Sequence, residues 1–206
     1  MIDSQLRASG VTERRLIAAF SEVPREMFVA EGRKSVAYVD DLQPLAAGKR
    51  FILSPAYFGR MAQLAEIVET SRVLDVGAAS GYSTAVLARI AGQVTGIEIE
   101  PSLAARASEH LAQLGVENAS VVAGGAEAVA GQLFDAIVVE GAIELEPEDL
   151  IQLLAPGGRL VVPLLRRGIA VIHVIQRNND GVMFTSEFDA TMPRLWSWAH
   201  KDEFVF

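Results

Sequence analysis

Val73-Leu74-Asp75-Val76-Gly77-Ala78-Ala79-Ser80-Gly81 is the stretch on which the fold turns. Val73–Val76 is a short apolar run of strand character that enters a glycine-bearing turn, and the residues beyond it, to Ile90, have helical character up to Gly92. Strand, tight turn and helix in that order open the α/β sheets that bind nucleotide-like ligands beyond the carboxyl ends of their strands. Outward from this unit the pattern repeats. Gln93–Glu98 is the next strand candidate, Pro101–Leu114 is helical and stops at Gly115, and Ala119–Ala123, Ala136–Val139 and Arg159–Pro163 are further strands. Such alternation predicts a parallel sheet with right-handed crossovers and helices on both faces. Ile169–Gln176 and Val182–Phe188, joined across Arg177-Asn178-Asn179-Asp180-Gly181, read as an antiparallel hairpin. The expected fold is α/β: a Rossmann-like, doubly wound, seven-stranded sheet whose last strand pair is antiparallel.

The turn also limits the ligand. A dinucleotide fingerprint G-x-G-x-x-G requires glycine at positions 77, 79 and 82, where Ala79 and Tyr82 fill two of the three. Asp75, two residues before Gly77, would face a pyrophosphate with a negative charge, whereas it favours a ligand carrying ammonium and sulfonium groups. Glu98 ends the second strand 21 residues after Gly77, where an acid accepts hydrogen bonds from ribose hydroxyls. Taken singly, Asp75 reads equally well as a turn cap and Glu98 as a solvated strand end. Together, on consecutive strands, they favour adenosine with a cationic tail, as in S-adenosylmethionine. A Ser–His–acid hydrolase is set aside because a nucleophile elbow needs serine at position 79.

Upstream, the first sixty residues carry nine Lys/Arg against seven Asp/Glu, and the remainder nine against nineteen. That break predicts two parts, a helical and acceptor-loop segment over 1–54 and a cofactor domain over 55–206. Leu6, Val11, Leu16, Ile17 and Phe20 have helical spacing until Pro24, and Tyr38 to Ile52 is loop chemistry. Ser54 before Pro55 has the form of a helix N-cap and first residue, with Phe58, Met61, Ala65 and Val68 as the apolar face that follows. The net charge of −8 and pI near 4.9 argue against nucleic acid and anionic membranes as partners. The absence of cysteine excludes disulfides and thiol chemistry. The longest uncharged run, between Asp75 and Arg89, is too short for a membrane helix, and Met1 to Gly10 has no apolar h-region. A cytoplasmic protein is expected. His110 and His173 lie among apolar residues, and no metal-binding spacing occurs.

With these residues in place, the chain resembles the protein-L-isoaspartate O-methyltransferase family. Val73–Ala88 and Val94–Leu103 are similar to that family's first two strands with their loop and acid. Phe134–Val139 and Leu154-Ala155-Pro156-Gly157-Gly158-Arg159-Leu160-Val161-Val162-Pro163 are similar to its fourth and fifth strands. Val23-Pro24-Arg25-Glu26-Met27-Phe28-Val29 and Ala37-Tyr38-Val39-Asp40 are similar to its N-terminal signature, which makes the resemblance specific. The resemblance implies protein repair by methyl transfer from S-adenosylmethionine to the α-carboxylate of an isoaspartyl residue in a protein or peptide. It places Asp75, Gly77, Ala79 and Gly81 at the methionine end, Glu98 at the ribose, Gly125 with Ala126 at the adenine, and Glu140 in the same cleft.

The chain departs from the family pattern in three places. The family's acceptor loop has serine two residues before its proline, where this chain has Leu53, with serine at Ser54 instead. The family's Gly-Asp-Gly after the third strand is represented by Gly124-Gly125. The middle glycine of the cofactor loop is Ala79, a mild change if its φ is negative. Because the substrate carboxylate is already ionised at neutral pH, losing one donor slows the reaction without forbidding it. The expected consequences are slow turnover of an isoaspartyl peptide, a gain on Leu53→Ser, and, as the alternative, a cofactor-binding module with a scaffolding or sensing role or a methyltransferase for another acceptor. Pro193–His200 holds both tryptophans, Trp196 and Trp198, and reads either as a segment packed on the sheet or as an exposed aromatic lip. Oligomeric state is not legible in the sequence.

Overall fold

The computed structural model describes residues 1–45 and 49–195. In chain order the elements are α1 (Arg14–Glu22), β1 (Gln43–Pro44), β2 (Phe51–Ile52), α2 (Pro55–Leu64), β3 (Arg72–Val76), α3 (Tyr82–Ala88) and β4 (Gln93–Glu98). They continue with α4 (Pro101–Gln113), β5 (Ala119–Ala123), β6 (Phe134–Val139), α5 (Glu148–Gln152), β7 (Leu154–Arg166), β8 (Ile169–Asn178) and β9 (Gly181–Ala190). The two short strands β1 and β2 pair with each other, and the other seven form one sheet in the order β5-β4-β3-β6-β7-β8-β9. The pairings β3–β4, β4–β5, β3–β6 and β6–β7 are parallel, and β7–β8 and β8–β9 are antiparallel. The chain leaves β3 towards one edge and returns to place β6 on its other side. The switch point where α/β sheets bind ligands therefore lies at the ends of β3 and β6.

Strand alternation sends neighbouring residues into opposite layers. Val73, Ala136, Val138 and Val161 point to the layer of α1 to α4, and Leu74, Val76, Ile137, Val139, Leu160 and Val162 to the layer of α5. The first layer is continuous with the N-terminal segment. Leu6, Val11, Leu16, Phe20, Val23 and Phe28 share one apolar cluster with Phe58 and Met61 of α2 and Tyr82 of α3. The Phe20 ring lies 5.4 Å from Phe58 and 6.3 Å from Tyr82, centroid to centroid. The change of character at residues 54 and 55 thus marks a helix start, with apolar packing running across it. Ser54 is the N-cap of α2 and accepts from the Tyr57 N–H at 3.4 Å.

Three local expectations are corrected. The fifth parallel strand is longer than Arg159–Pro163 because it runs directly into a hairpin with β8. Arg167 and Gly168 turn it with φ of 51° and 86°, the left-handed pair that a two-residue hairpin requires. The sheet consequently ends in two antiparallel pairings, of which the predicted β8–β9 hairpin is the outer. Helix α2 stops at Leu64, and Val68 beyond it is exposed and no part of the buried face.

Phe20→Ala removes the ring on which the N-terminal segment and α2 converge. The variant should lose about 3–5 kcal/mol of stability, measured as a shift in the urea unfolding midpoint with an unchanged m-value.

Candidate functional site

The turn after β3 seats on the end of β4, with the N–H groups of Gly77 and Ala78 both donating to the Ile97 carbonyl at 2.9 and 3.1 Å. Gly77, Ala79 and Gly81 all have positive φ, at 84°, 50° and 92°. The mild reading of Ala79 is therefore wrong: the residue is in the left-handed region, at a cost of about 1–2 kcal/mol relative to glycine. The Ala79 N–H donates to Glu98 Oε2 at 2.8 Å and helps hold the turn against that strain. From the N-terminal side, Ser80 Oγ donates to the Phe28 carbonyl at 2.7 Å, and His110 Nδ1 lies 2.8 Å from the Ser80 carbonyl with its ring against Phe28. His110 packs here, as its spacing implied.

Asp75 is fully buried. Its Oδ2 accepts from Ser83 Oγ and Thr84 Oγ1 at 2.7 and 2.6 Å, while its Oδ1 has no partner. Burial pushes its carboxyl up to about 6. Glu98 is also fully buried: Oε2 accepts from Ala79 N–H and from Arg50 Nη2 and Nε at 2.8 and 3.1 Å, and Oε1 from the Glu100 N–H at 3.0 Å. Arg50 is the first site residue that sequence reading missed, since a lone arginine in a loop of no regular spacing carries no signal. Arg50 and Leu195 close the cleft over Gly77. With Val76, Ile97, Ile99 and Gly124 they line a cavity of about 10 Å³, far below the roughly 300 Å³ at which ligand pockets begin.

Gly124 and Gly125 follow β5, at the same end of the sheet. The Gly125 N–H donates to Glu127 Oε1 at 2.7 Å, which draws that carboxyl below its ordinary range. Glu127 thus brings an acid to the turn where Gly124-Gly125 lacks one, displaced in sequence and so invisible to a motif comparison. Ala126 begins the short 3-10 turn Ala126–Val129. Glu140, at the end of β6, is almost fully buried; its Oε1 is unpartnered, and burial followed by the nearby Asp75 pushes its carboxyl well above the usual range. On the acceptor side, the Leu53 side chain is packed in the apolar cluster, so a hydroxyl placed there would face apolar neighbours. The expected gain from Leu53→Ser has no support in this packing. The Leu53 carbonyl accepts from Nη2 of the buried Arg25 at 2.7 Å. Trp196 and Trp198 lie outside the described residues, and among those described no group of His, Asp and Glu is placed to hold a metal.

These residues fit the group that the sequence implies. Asp75 Oδ1 is a buried acceptor without a donor, as an ammonium requires, and Glu98 Oε1 accepts a single hydrogen bond, which leaves it a lone pair for a diol.

A family model for protein-L-isoaspartate(D-aspartate) O-methyltransferase matches residues 1–192. Protein-L-isoaspartate O-methyltransferase 1 of Syntrophobacter fumaroxidans is 37% identical over 204 residues, covering 96% of this chain and 94% of its own. Protein-L-isoaspartate O-methyltransferase 2 of Anaeromyxobacter sp. is 43% identical over 167 residues, 79% of this chain and 68% of its own. A solved Plasmodium falciparum structure described as a protein-L-isoaspartate O-methyltransferase in complex with S-adenosyl-L-homocysteine superposes with a TM-score of 0.76 at 22% identity. It covers 92% of this chain and 94% of that one, a likeness of fold.

The raised Asp75 carboxyl predicts a pH effect on stability. Between about pH 4 and pH 6 the folded chain retains a proton that the unfolded chain releases, so stability falls as pH rises through this window. Asp75→Asn should flatten this decline, which urea unfolding at about pH 4.5 and about pH 7.5 would measure for both proteins.

Proposed function

The chain belongs to the protein-L-isoaspartate O-methyltransferase family, and we propose that it performs that family's reaction on the α-carboxylate of isoaspartyl residues in damaged protein or peptide. The observation that carries this reading is the match over residues 1–192, which takes in the N-terminal signature as well as the cofactor unit. It is an S-adenosylmethionine-dependent O-methyltransferase, and the bound cofactor supplies an electrophilic methyl group. No helix among the described residues is long and apolar enough to cross a membrane. The acidic surface favours a protein or peptide acceptor over nucleic acid or a membrane surface, and we place the activity in the cytoplasm.

The protein's share of the chemistry is alignment and exclusion of water. The acceptor carboxylate has an ordinary pKa of about 4 and needs no general base. What it needs is one oxygen held in line with the methyl group and the other held by a donor. In this reading Asp75 Oδ1, buried and without a donor, takes the cofactor's ammonium, Glu98 its ribose hydroxyls, and the Gly125–Glu127 turn its adenine. The turn from Gly77 to Gly81 lets backbone come close where side chains would intrude. A Cβ at Gly77 would stand 2.8 Å from Arg50 Nη2 and 3.1 Å from Leu195 Cδ2. Leu195, Val76 and Ile97 give the cleft an apolar wall, which favours exclusion of water.

In this reading, ribose hydroxyls and Arg50 compete for the same Glu98 carboxylate. Arg50→Gln should therefore bind S-adenosylhomocysteine more tightly, about tenfold for each 1.4 kcal/mol that the displaced pair no longer costs. The same variant should unfold at a lower temperature without ligand, since removing one partner of a buried pair costs about 3–5 kcal/mol. Titration calorimetry and thermal scans on the two proteins would check both directions.

The reading itself is tested by radiolabelled methyl transfer. The expected result is a base-labile methyl ester on an isoaspartyl peptide and none on the same peptide with ordinary aspartate. Cofactor binding without any transfer to the isoaspartyl peptide would instead favour the binding module.

A further inference from the structure

Arg25 is buried, and its surroundings account for only part of it. Its Nε donates to the Ala37 carbonyl at 2.8 Å and its Nη2 to the Leu53 carbonyl at 2.7 Å. Its guanidinium lies over the Tyr82 ring, 4.6 Å from the centroid. These contacts fix the plane of the group and tie the N-terminal segment to the acceptor loop. Nη1 remains without a partner, and so do two other buried atoms of this region, the Tyr82 hydroxyl and Glu140 Oε1. Buried polar atoms are nearly always satisfied, so orphans gathered around one guanidinium call for an explanation.

The charge balance sharpens the point. Burial pulls the Arg25 pKa down, and Tyr82, Glu140 and Asp40 act against it from nearby, yet Arg25 forms no ion pair with any described carboxylate. Glu140 is a poor counter-ion because its own burial favours the neutral form. A buried cation without an anion is costly, and arginine is the side chain whose planar donors best match a carboxylate. A purely structural clamp explains Nε and Nη2; the Tyr82 hydroxyl and the guanidinium do favour each other, but neither Nη1 nor that hydroxyl makes a hydrogen bond of normal geometry.

We propose that Arg25 Nη1 and the Tyr82 hydroxyl receive the α-carboxylate of the methyl acceptor, taking the orienting role for which Leu53 has no hydroxyl. This inference rests on the isoaspartyl reading above and adds the residues that recognise the acceptor. Arg50 and Leu53 flank β2, so the side chain that pairs with Glu98 and the carbonyl that holds Arg25 belong to one short stretch of chain.

The test measures binding of a fluorescently labelled isoaspartyl peptide, by anisotropy, to the full chain saturated with S-adenosylhomocysteine. A second peptide carries an α-carboxamide in place of the α-carboxylate. For the parent, the carboxylate peptide should bind at least about tenfold more tightly than the carboxamide, one factor of ten corresponding to about 1.4 kcal/mol. Tyr82→Phe keeps the ring and should leave melting temperature and S-adenosylhomocysteine affinity essentially unchanged while cutting the carboxylate preference several-fold. Arg25→Lys should abolish the preference with little effect on the carboxamide peptide.

Equal weakening of both peptides by Arg25→Lys, or a carboxylate preference intact in Arg25→Lys and Tyr82→Phe, would overturn the proposal. If Arg25→Lys does not fold, the Tyr82→Phe comparison decides alone. Methyl transfer by the parent with an undiminished preference in the variants sinks this inference and leaves the isoaspartyl reading standing. No transfer and no binding of the isoaspartyl peptide by the parent sinks both.

Discussion

The Glu98 carboxylate is the point through which the site is held together. One buried side chain accepts from the Ala79 N–H of the cofactor turn, from Arg50 of the N-terminal segment and from the Glu100 N–H at the start of α4. Strand, turn, helix and N-terminal loop are thereby tied at a single pair of oxygens. The strained φ of Ala79 is tolerable because its amide has this charged acceptor, and hydrogen bonds to ionised groups are about twice as strong as neutral ones. In the proposed function the same carboxylate receives the ribose, so structural closure and ligand binding would compete for one group beneath the narrow cleft of Arg50 and Leu195.

The N-terminal segment has two jobs that share residues. Its apolar side chains complete the layer over α2 and α3, where Phe20, Phe28 and Phe58 each meet the Tyr82 ring edge to face. Its polar groups reach the site: Arg50 to Glu98, Arg25 to the Leu53 carbonyl, and the Phe28 carbonyl to Ser80. The buried orphans at Asp75, Tyr82, Glu140 and Arg25 lie among groups of both charges. In a low-dielectric setting unpaired groups of this kind interact strongly with whatever ligand supplies the missing partner.

The acceptor loop shows how a family pattern is altered without losing its frame. Leu53 turns its side chain into the apolar cluster and offers only its carbonyl, and Ser54 is used as a helix cap. The polar function left open there passes to neighbours from other parts of the chain. At the far end of the cleft, Glu127 folds back on the Gly125 N–H and supplies an acid that the glycine pair lacks. In both places a residue distant in sequence or shifted in register stands close to the position that a motif comparison reports as missing.

Much of the fold and of the cofactor unit was legible in the sequence because both are encoded locally. A strand, a turn needing positive φ and a helix leave their mark within about fifteen residues, as Val73–Ala88 does, and the alternating layers follow from period-two burial. Asp75 and Glu98 were singled out for the same reason, each at a set distance from one turn, and the fold does bring both beside it. Ala79 was legible as a substitution but not as a strained one, because φ is decided by how the turn seats on β4. Arg25, Arg50 and Leu195 carried no signal of site membership: their partners lie on other elements, from 28 residues away for Arg25 and Leu53 to 48 for Arg50 and Glu98. The sequence alone determined the sheet, its ligand-binding end and the family. Which side chains close the cleft, and which buried groups await a partner, only the tertiary structure decided, because burial and pairing are properties of segments brought together by packing.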